Sequence, residues 1–371
     1  MIVSVPRELK DQETRVALTP SGVRSLADQG HTVFVETDAG ALSAFPDAEF
    51  VAAGATILDT AQEVWDRADI LLKVKEPIES EYENFRPGLT LFTYLHLAPL
   101  PELTARLREN RVTAIAYETV TGPRNALPLL TPMSEVAGRL AVQVGASYLQ
   151  KGNGGRGMLL GGVPGVPPGR VCILGGGIVG TNACKMALGL GADVTIVDLN
   201  LDRLRELDDI FGGRVKTLAS NPYNVARAVQ HSDLVIGGVL IPGKSAPRVL
   251  TAEMVSAMQP GSVIVDVAID QGGCIETAHP TSHSDPSYVV DGVIHYCVTN
   301  MPAAVPNTST LALTNATFPF VAQLANYGAL QAMKANPHLA NGLNTYDGEL
   351  TCEAVALSQD MQWTPALELV S

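Results

Sequence analysis

The run VCILGGGIVGTNACKMALGLGADVTIVDLN at residues 171–200 constrains the fold more than any other stretch of the chain. An apolar strand, three spaced glycines, a helical pattern and a second strand ending in an acid together form one strand–helix–strand unit. Gly175 permits the tight turn, Gly177 lets the backbone approach a pyrophosphate, and Gly180 lets the helix pack closely on the strand. The helix opens at Ile178 and Val179, where free N–H groups can meet phosphate oxygens. Asp198, ending the second strand, can accept from both ribose hydroxyls and repel a 2′-phosphate, so the pattern predicts NAD rather than NADP. The other reading of the same residues is a ligand-free glycine turn beside a solvated acid.

More strands are predicted at 215–218, 234–236, 263–265 and 293–298; with 171–174 and 194–197 they suit a six-stranded doubly wound sheet. Before this series, strands at 2–5, 32–35, 70–74, 89–95 and 112–116 alternate with helical pieces. Thr19 reads as the N-cap of the first helix, with Pro20 in its first position and Gly30 closing it. A longer helix is expected over 133–149, with Ser134 as its N-cap and Glu135 in its first turn. Residues 151–169 are too rich in Gly and Pro for a regular element. A helix over 309–333 should bend at Pro319, and the tail beyond it should pack back on the first domain. The predicted architecture is α/β with two domains. A Rossmann, doubly wound NAD domain at 131–306 is inserted between parts of an α/β substrate domain at 1–130 and 307–371.

Charge narrows the partners. A net charge of −13 without a dense Lys/Arg stripe argues against nucleic acid. Cys172, Cys184, Cys274, Cys297 and Cys352 form no CxxC pair, which fits a reducing cytoplasm, and Arg7, Glu8 and Lys10 interrupt any signal-like apolar start. Residues 292–333 carry no Asp, Glu, Lys or Arg and are long enough to span a bilayer. However, Pro302, Pro306 and Pro319, with Asn300, Asn307, Asn315, Gln323 and Asn326, fit a buried helix of a soluble protein, so no membrane partner is expected.

Several side chains stand where loops leave strands. Arg15, after the first strand, can clamp a carboxylate or hold a structural ion pair. Lys73 and Lys75 share a face if their strand is regular. His96 ends an apolar strand, as either a satisfied core histidine or an acid/base. Asp270 precedes two glycines, a common turn role, and Glu118 follows a strand where it faces either a cleft or solvent. His279 and His283 are four residues apart, but Pro280 argues against a ligand-bearing helix.

The segments ETRVALTP (13–20), LLKVKEP (71–77), LFTYLHLA (91–98), PMSEVAGRLAVQVGA (132–146), DVAIDQGG (266–273) and NMPAAVPNTST (300–310) occur in an order and spacing that resembles the bacterial alanine dehydrogenase family. The resemblance covers essentially the whole chain. The wider superfamily includes the NAD-binding subunit of proton-translocating transhydrogenase and saccharopine dehydrogenases. The resemblance implies that Arg15 and Lys75 hold the substrate, that His96 is the catalytic acid/base and that Asp270 is a second catalytic group. It implies NAD contacts at Ser134, Arg203, Ser220, Val239, Leu240, Val267, Ala268, Ile269, Asp270, Val298, Asn300 and Met301, beside Gly175, Gly177, Ile178, Val179, Gly180 and Asp198. Gln323 and Tyr327 stand where some members carry an acid and a histidine as a possible metal pair, so no metal is expected. The implied activity is reversible, NAD-dependent oxidative deamination of L-alanine to pyruvate and ammonia, in a cytoplasmic homohexamer whose domains close over an interdomain cleft. The alternatives are a transhydrogenase NAD subunit and a dehydrogenase for another small 2-oxo acid such as glyoxylate.

Overall fold

The computed structural model describes residues 1–239 and 246–370. The chain divides into two units, Met1–Met133 with Val305–Ser371, and Ser134–Ala304. The first unit lays down β1 (Ile2–Val5), β2 (Thr32–Glu36), β3 (Thr56–Leu58), β4 (Ile70–Leu72), β5 (Thr90–Thr93) and β6 (Thr113–Ala116). The second holds β7 (Arg170–Leu174), β8 (Asp193–Asp198), β9 (Lys216–Ala219), β10 (Leu234–Gly237), β11 (Val263–Asp266), β12 (Ser287–Val290) and β13 (Val293–Tyr296). The chain then returns to the first unit as β14 (Leu343–Tyr346) and β15 (Glu349–Leu350).

Among the described residues the first sheet runs β3-β2-β1-β4-β5-β6-β14-β15. β1 to β6 pair in parallel, while β14 and β15 add antiparallel. The central strands are buried on both faces and largely apolar: Ile70, Leu71, Leu72, Leu91 and Phe92 are all sealed from solvent. The order reverses direction between β1 and β4, so the loops leaving those two strands begin side by side. In open α/β sheets ligands bind at this switch point.

The second sheet repeats the device, with β9-β8-β7-β10-β11-β13 parallel and β12 an antiparallel edge. Its switch point lies between β7 and β10, and the glycine loop leaves β7 there. The helix Ile178–Gly189 follows the loop, and the helix Thr131–Tyr148 crosses nearby. A Cβ on Gly138 would lie 2.3 Å from the Val179 carbonyl oxygen, so only glycine admits that approach.

One local expectation is corrected, and two others gain detail. Ser134 is not an N-cap: the helix begins at Thr131, because Pro132 is tolerated in a first turn where its missing N–H is no loss. The helix Pro306–Ala335 runs through Pro319, and its one residue outside helical φ/ψ is Gly328, with φ 73° and ψ 157°, a conformation that suits glycine. Residues 151–169 carry a short 3-10 turn, Lys151–Asn153, and one bridge between Val163 and Val166. The short strands β3, β12, β14 and β15 lack a periodic signal long enough to read from sequence. No helix among the described residues is long and apolar enough to cross a membrane.

Candidate functional site

In the first unit the candidate residues occupy loops at the C-terminal ends of neighbouring strands. Arg15 follows β1, Lys75 follows β4, His96 follows β5 and Glu118 follows β6. The loops after β1 and β4 are fastened below the surface. Glu8 accepts the Val74 N–H and lies 3.2 Å from the Lys73 ammonium, which also meets Glu81 at 2.8 Å. All three side chains are buried, and burial opposes their charges. At Lys73 the two carboxylates outweigh that cost and raise its pKa, whereas at Glu8 burial prevails and raises the carboxyl. Lys10 pairs with Glu76 from the same two loops. Lys73 therefore anchors the segment that presents Lys75.

Arg15 is 2% exposed. Glu13 accepts from its Nε at 2.7 Å and its Nη2 at 2.5 Å, a side-on bidentate pair, while Nη1 points at the Met133 sulfur 3.0 Å away. Burial alone would lower the guanidinium pKa; the hydrogen bond and charge of Glu13 more than reverse it. Glu13 was not singled out from sequence, although the Glu-x-Arg spacing in the loop is the signal that could have done so.

Tyr94 links the cluster. Its hydroxyl donates to the Leu129 carbonyl at 2.6 Å, fixing the ring. The Lys75 ammonium stands 5.9 Å from the ring centroid, and the His96 imidazole stacks parallel to it at 5.7 Å. His96 lies beyond the end of β5 in a left-handed conformation, φ 46°, which is costly for a side chain other than glycine. Glu118 holds it there, accepting the backbone N–H of Leu95 at 3.2 Å and that of His96 at 2.6 Å. The same carboxylate lies 3.7 Å from His96 Nδ1. The His96 side chain is 41% exposed, and so open to a ligand.

In the second unit the glycine loop has the geometry a dinucleotide needs. Gly175 sits at φ 98°, where a Cβ would also lie 2.8 Å from the Gly238 carbonyl. At Gly180 a Cβ would lie 1.9 Å from the Gly175 oxygen, whereas Gly177 faces open space. Packing thus explains two of the glycines. The third leaves bare backbone at a helix N-terminus, which fits a pyrophosphate. Asp198 is half-buried at the end of β8, accepting from Gly176 N at 2.6 Å and Asn200 N at 2.8 Å. Arg203 donates to the Gly176 carbonyl and to Thr181, both at 2.7 Å, so it braces the loop. Ser220 N–H donates to the Asp198 carbonyl, and Val239 follows β10 beside Gly175. Ser134 is half-buried in the first turn of the crossing helix.

The remaining candidates gather after β11. Val267, Ala268, Ile269 and Asp270 belong to the 3-10 turn Val267–Gln271. Asp270 is exposed and accepts the Asn300 N–H at 3.1 Å. Val298 bridges Thr281, and buried Met301 opens another 3-10 turn. Leu240 lies outside the described residues. Gln323 accepts from Asn336 at 3.0 Å, and Tyr327 is exposed.

Two doubly wound sheets, one with a glycine loop and an acid at the next strand end, define an α/β protein of the dinucleotide-binding class. Residues 4–137 match the family described as alanine dehydrogenase/PNT, N-terminal domain, and residues 141–353 match its C-terminal domain. The chain belongs to the alanine dehydrogenase/PNT family. It is 59% identical to alanine dehydrogenase of Bacillus subtilis over 367 residues, 99% of this chain and 97% of that protein. Among solved structures it is similar to an L-alanine dehydrogenase at a TM-score of 0.94 and 52% identity, each chain covered in full. It is also similar to a transhydrogenase from Sinorhizobium meliloti at a TM-score of 0.84 and 27% identity, over 95% of this chain and all of that one.

Proposed function

We propose that the protein catalyses reversible, NAD-dependent oxidative deamination of L-alanine to pyruvate and ammonia. The observation that carries this reading is the placing of Lys75 and His96 against the Tyr94 ring, with buried Arg15 on the loop after the adjacent strand β1, two cations and an imidazole suited to an amino acid. Arg15, oriented by Glu13 on Nε and Nη2, binds the substrate carboxylate, and the flexible Met133 side chain beside Nη1 yields to it. Lys75 attracts the carboxylate and, in the reverse direction, the ketone oxygen. The glycine loop would hold NAD with Asp198 on its ribose, and the bound cofactor would supply the acceptor for the hydride leaving Cα. The resulting imine takes up water to give a carbinolamine, which expels ammonia. These steps need a base for the water proton and an acid for the amine, roles assigned to His96 and Asp270. His96 turns Nδ1 toward Glu118, so Nε2 exchanges the proton.

The test is NADH absorbance with alanine and NAD⁺, and with pyruvate, ammonia and NADH, for the native protein and His96→Ala. Alanine-dependent turnover that falls at least about a thousandfold in the variant supports the reading, by the scale of acid–base catalysis with lost positioning. Tight NADH binding without alanine turnover would favour the transhydrogenase-subunit reading, which the TM-score of 0.84 keeps in view at lower identity. Turnover faster with glyoxylate than with pyruvate would shift the substrate. Cytoplasmic residence and a homohexamer belong to the same proposal, supported by the family resemblance and by five free cysteines, four of them buried. Sedimentation at a mass other than six chains would overturn the assembly.

A further inference from the structure

The turn that carries Asp270 is built around a second, buried acid. β11 ends at Asp266, which is 0% exposed. One carboxylate oxygen accepts the Ala268 N–H at 3.1 Å, and the other accepts the Cys274 N–H at 3.0 Å. The Cys274 thiol also approaches the first oxygen at 3.6 Å. One side chain therefore ties the turn Val267–Gln271 just inside its start and just beyond its end. The neighbouring backbone makes room for it. A Cβ on Gly237 would lie 2.8 Å from one carboxylate oxygen, and one on Gly273 would lie 2.7 Å from the other.

A turn alone does not require a carboxylate here, because Asn, Ser or Thr caps such a start as well. A carboxylate differs in being an acceptor at both oxygens, and every group reaching Asp266 is a donor. Burial pushes its pKa up to about 6 against the pull of those hydrogen bonds, so the fold keeps an acid that is costly to ionise. The purpose of such a group is found at the exposed end of the same turn, where Asp270 points outward and is steadied by Asn300 N–H.

We propose that Asp266 is the positioning residue of Asp270, acting through the two backbone hydrogen bonds that fix the turn between them. The inference rests on the reading of Asp270 as a proton-handling group. Asp266→Asn tests it, because the amide nitrogen must then face a backbone N–H and one tie is lost. We expect kcat for alanine oxidation to fall about tenfold, with the KM for alanine and the NADH dissociation constant changed less than about twofold. The decisive comparison is with Asp270→Asn and the double variant. If Asp266 acts through Asp270, the double variant loses no more kcat than Asp270→Asn alone. Losses that multiply, or Asp266→Asn at full kcat, overturn the proposal. Asp270→Asn at full kcat would instead remove the reading beneath it. Should Asp266→Asn not fold, Gly237→Ala keeps the charge and crowds the carboxylate from β10; a folded Gly237→Ala with native kcat overturns the proposal as well.

Discussion

The two switch points solve the same topological problem with opposite materials. In the first unit the loops after β1 and β4 are held by buried charge: Glu13 on Arg15, and Glu8 and Glu81 on Lys73. In the second the loop after β7 is held by the absence of side chains, with Gly175 and Gly180 pressed against backbone and Gly177 bare. A site built of paired charges tolerates small steric changes but not a change in hydrogen-bonding shape. A site built of backbone has the reverse weakness, and each half should fail in its own way.

The largest effect should come from Arg15→Lys, which keeps the charge but not the side-on pairing with Glu13. Steady-state kinetics should show kcat/KM for alanine falling about a thousandfold, on the order of 4 kcal/mol, with NADH affinity within twofold. A loss below about tenfold would mean that charge alone suffices there. Next is Gly180→Ala, whose single methyl would stand 1.9 Å from the Gly175 oxygen. Fluorescence titration should show NADH binding weakened about a hundredfold, and unchanged binding would dissolve the contrast between the two sites. Glu118→Gln sharpens the first half: Oε1 accepts both N–H groups and would be kept as the amide oxygen, but a donor would replace Oε2 beside the Leu95 N–H and the charge near His96 would be lost. About a tenfold loss in kcat is expected, the pattern of a positioning group.

The smallest effect concerns pH. His295 is buried in the second unit between Thr277 and the Val293 carbonyl, and burial lowers its pKa from 6.5. The unfolded chain then takes up a proton that the fold excludes. Stability from this group is present above the unfolded value of 6.5 and is lost as pH falls toward the folded one. Melting curves should show His295→Asn declining less steeply with acid than the native protein, by about 2 °C at the lower end. An equal slope would remove the group from the balance.

The same contrast governs what could be read in advance. The glycine loop was legible because its demands are local: a turn, a close approach and a helix start follow one another within a few residues. The parallel strands were legible as apolar runs, and their inner residues are indeed sealed from solvent. The first unit's site was legible only as residue types. Nothing in the spacing says that Arg15 leans on Glu13, or that the Tyr94 ring carries both Lys75 and His96, because those contacts depend on strand order. Ser134 reads as an N-cap although the helix begins at Thr131, because a proline in a first turn looks like a boundary from outside the helix. Pro319 is visible in the sequence as a helix-bending residue, whereas the positive φ at Gly328 has no local signal beyond the glycine itself. Asp266 stands inside the apolar stretch 263–269, where nothing in the sequence shows that two backbone donors converge on it.

The antiparallel pairing of β14 with β6 sets a timetable for synthesis. Thr345 donates its hydroxyl to the Val112 carbonyl across a sequence separation of 233 residues, and the second unit is translated in between. At about 5–20 residues per second, the edge of β6 waits on the order of ten to fifty seconds for its neighbour to leave the ribosome. The second unit, contiguous in sequence, can reach its native fold while the first is still an unfinished sheet with an open edge. Such an edge invites pairing with other nascent chains, so the yield of native protein should depend on translation speed and chaperone supply more than its final stability suggests.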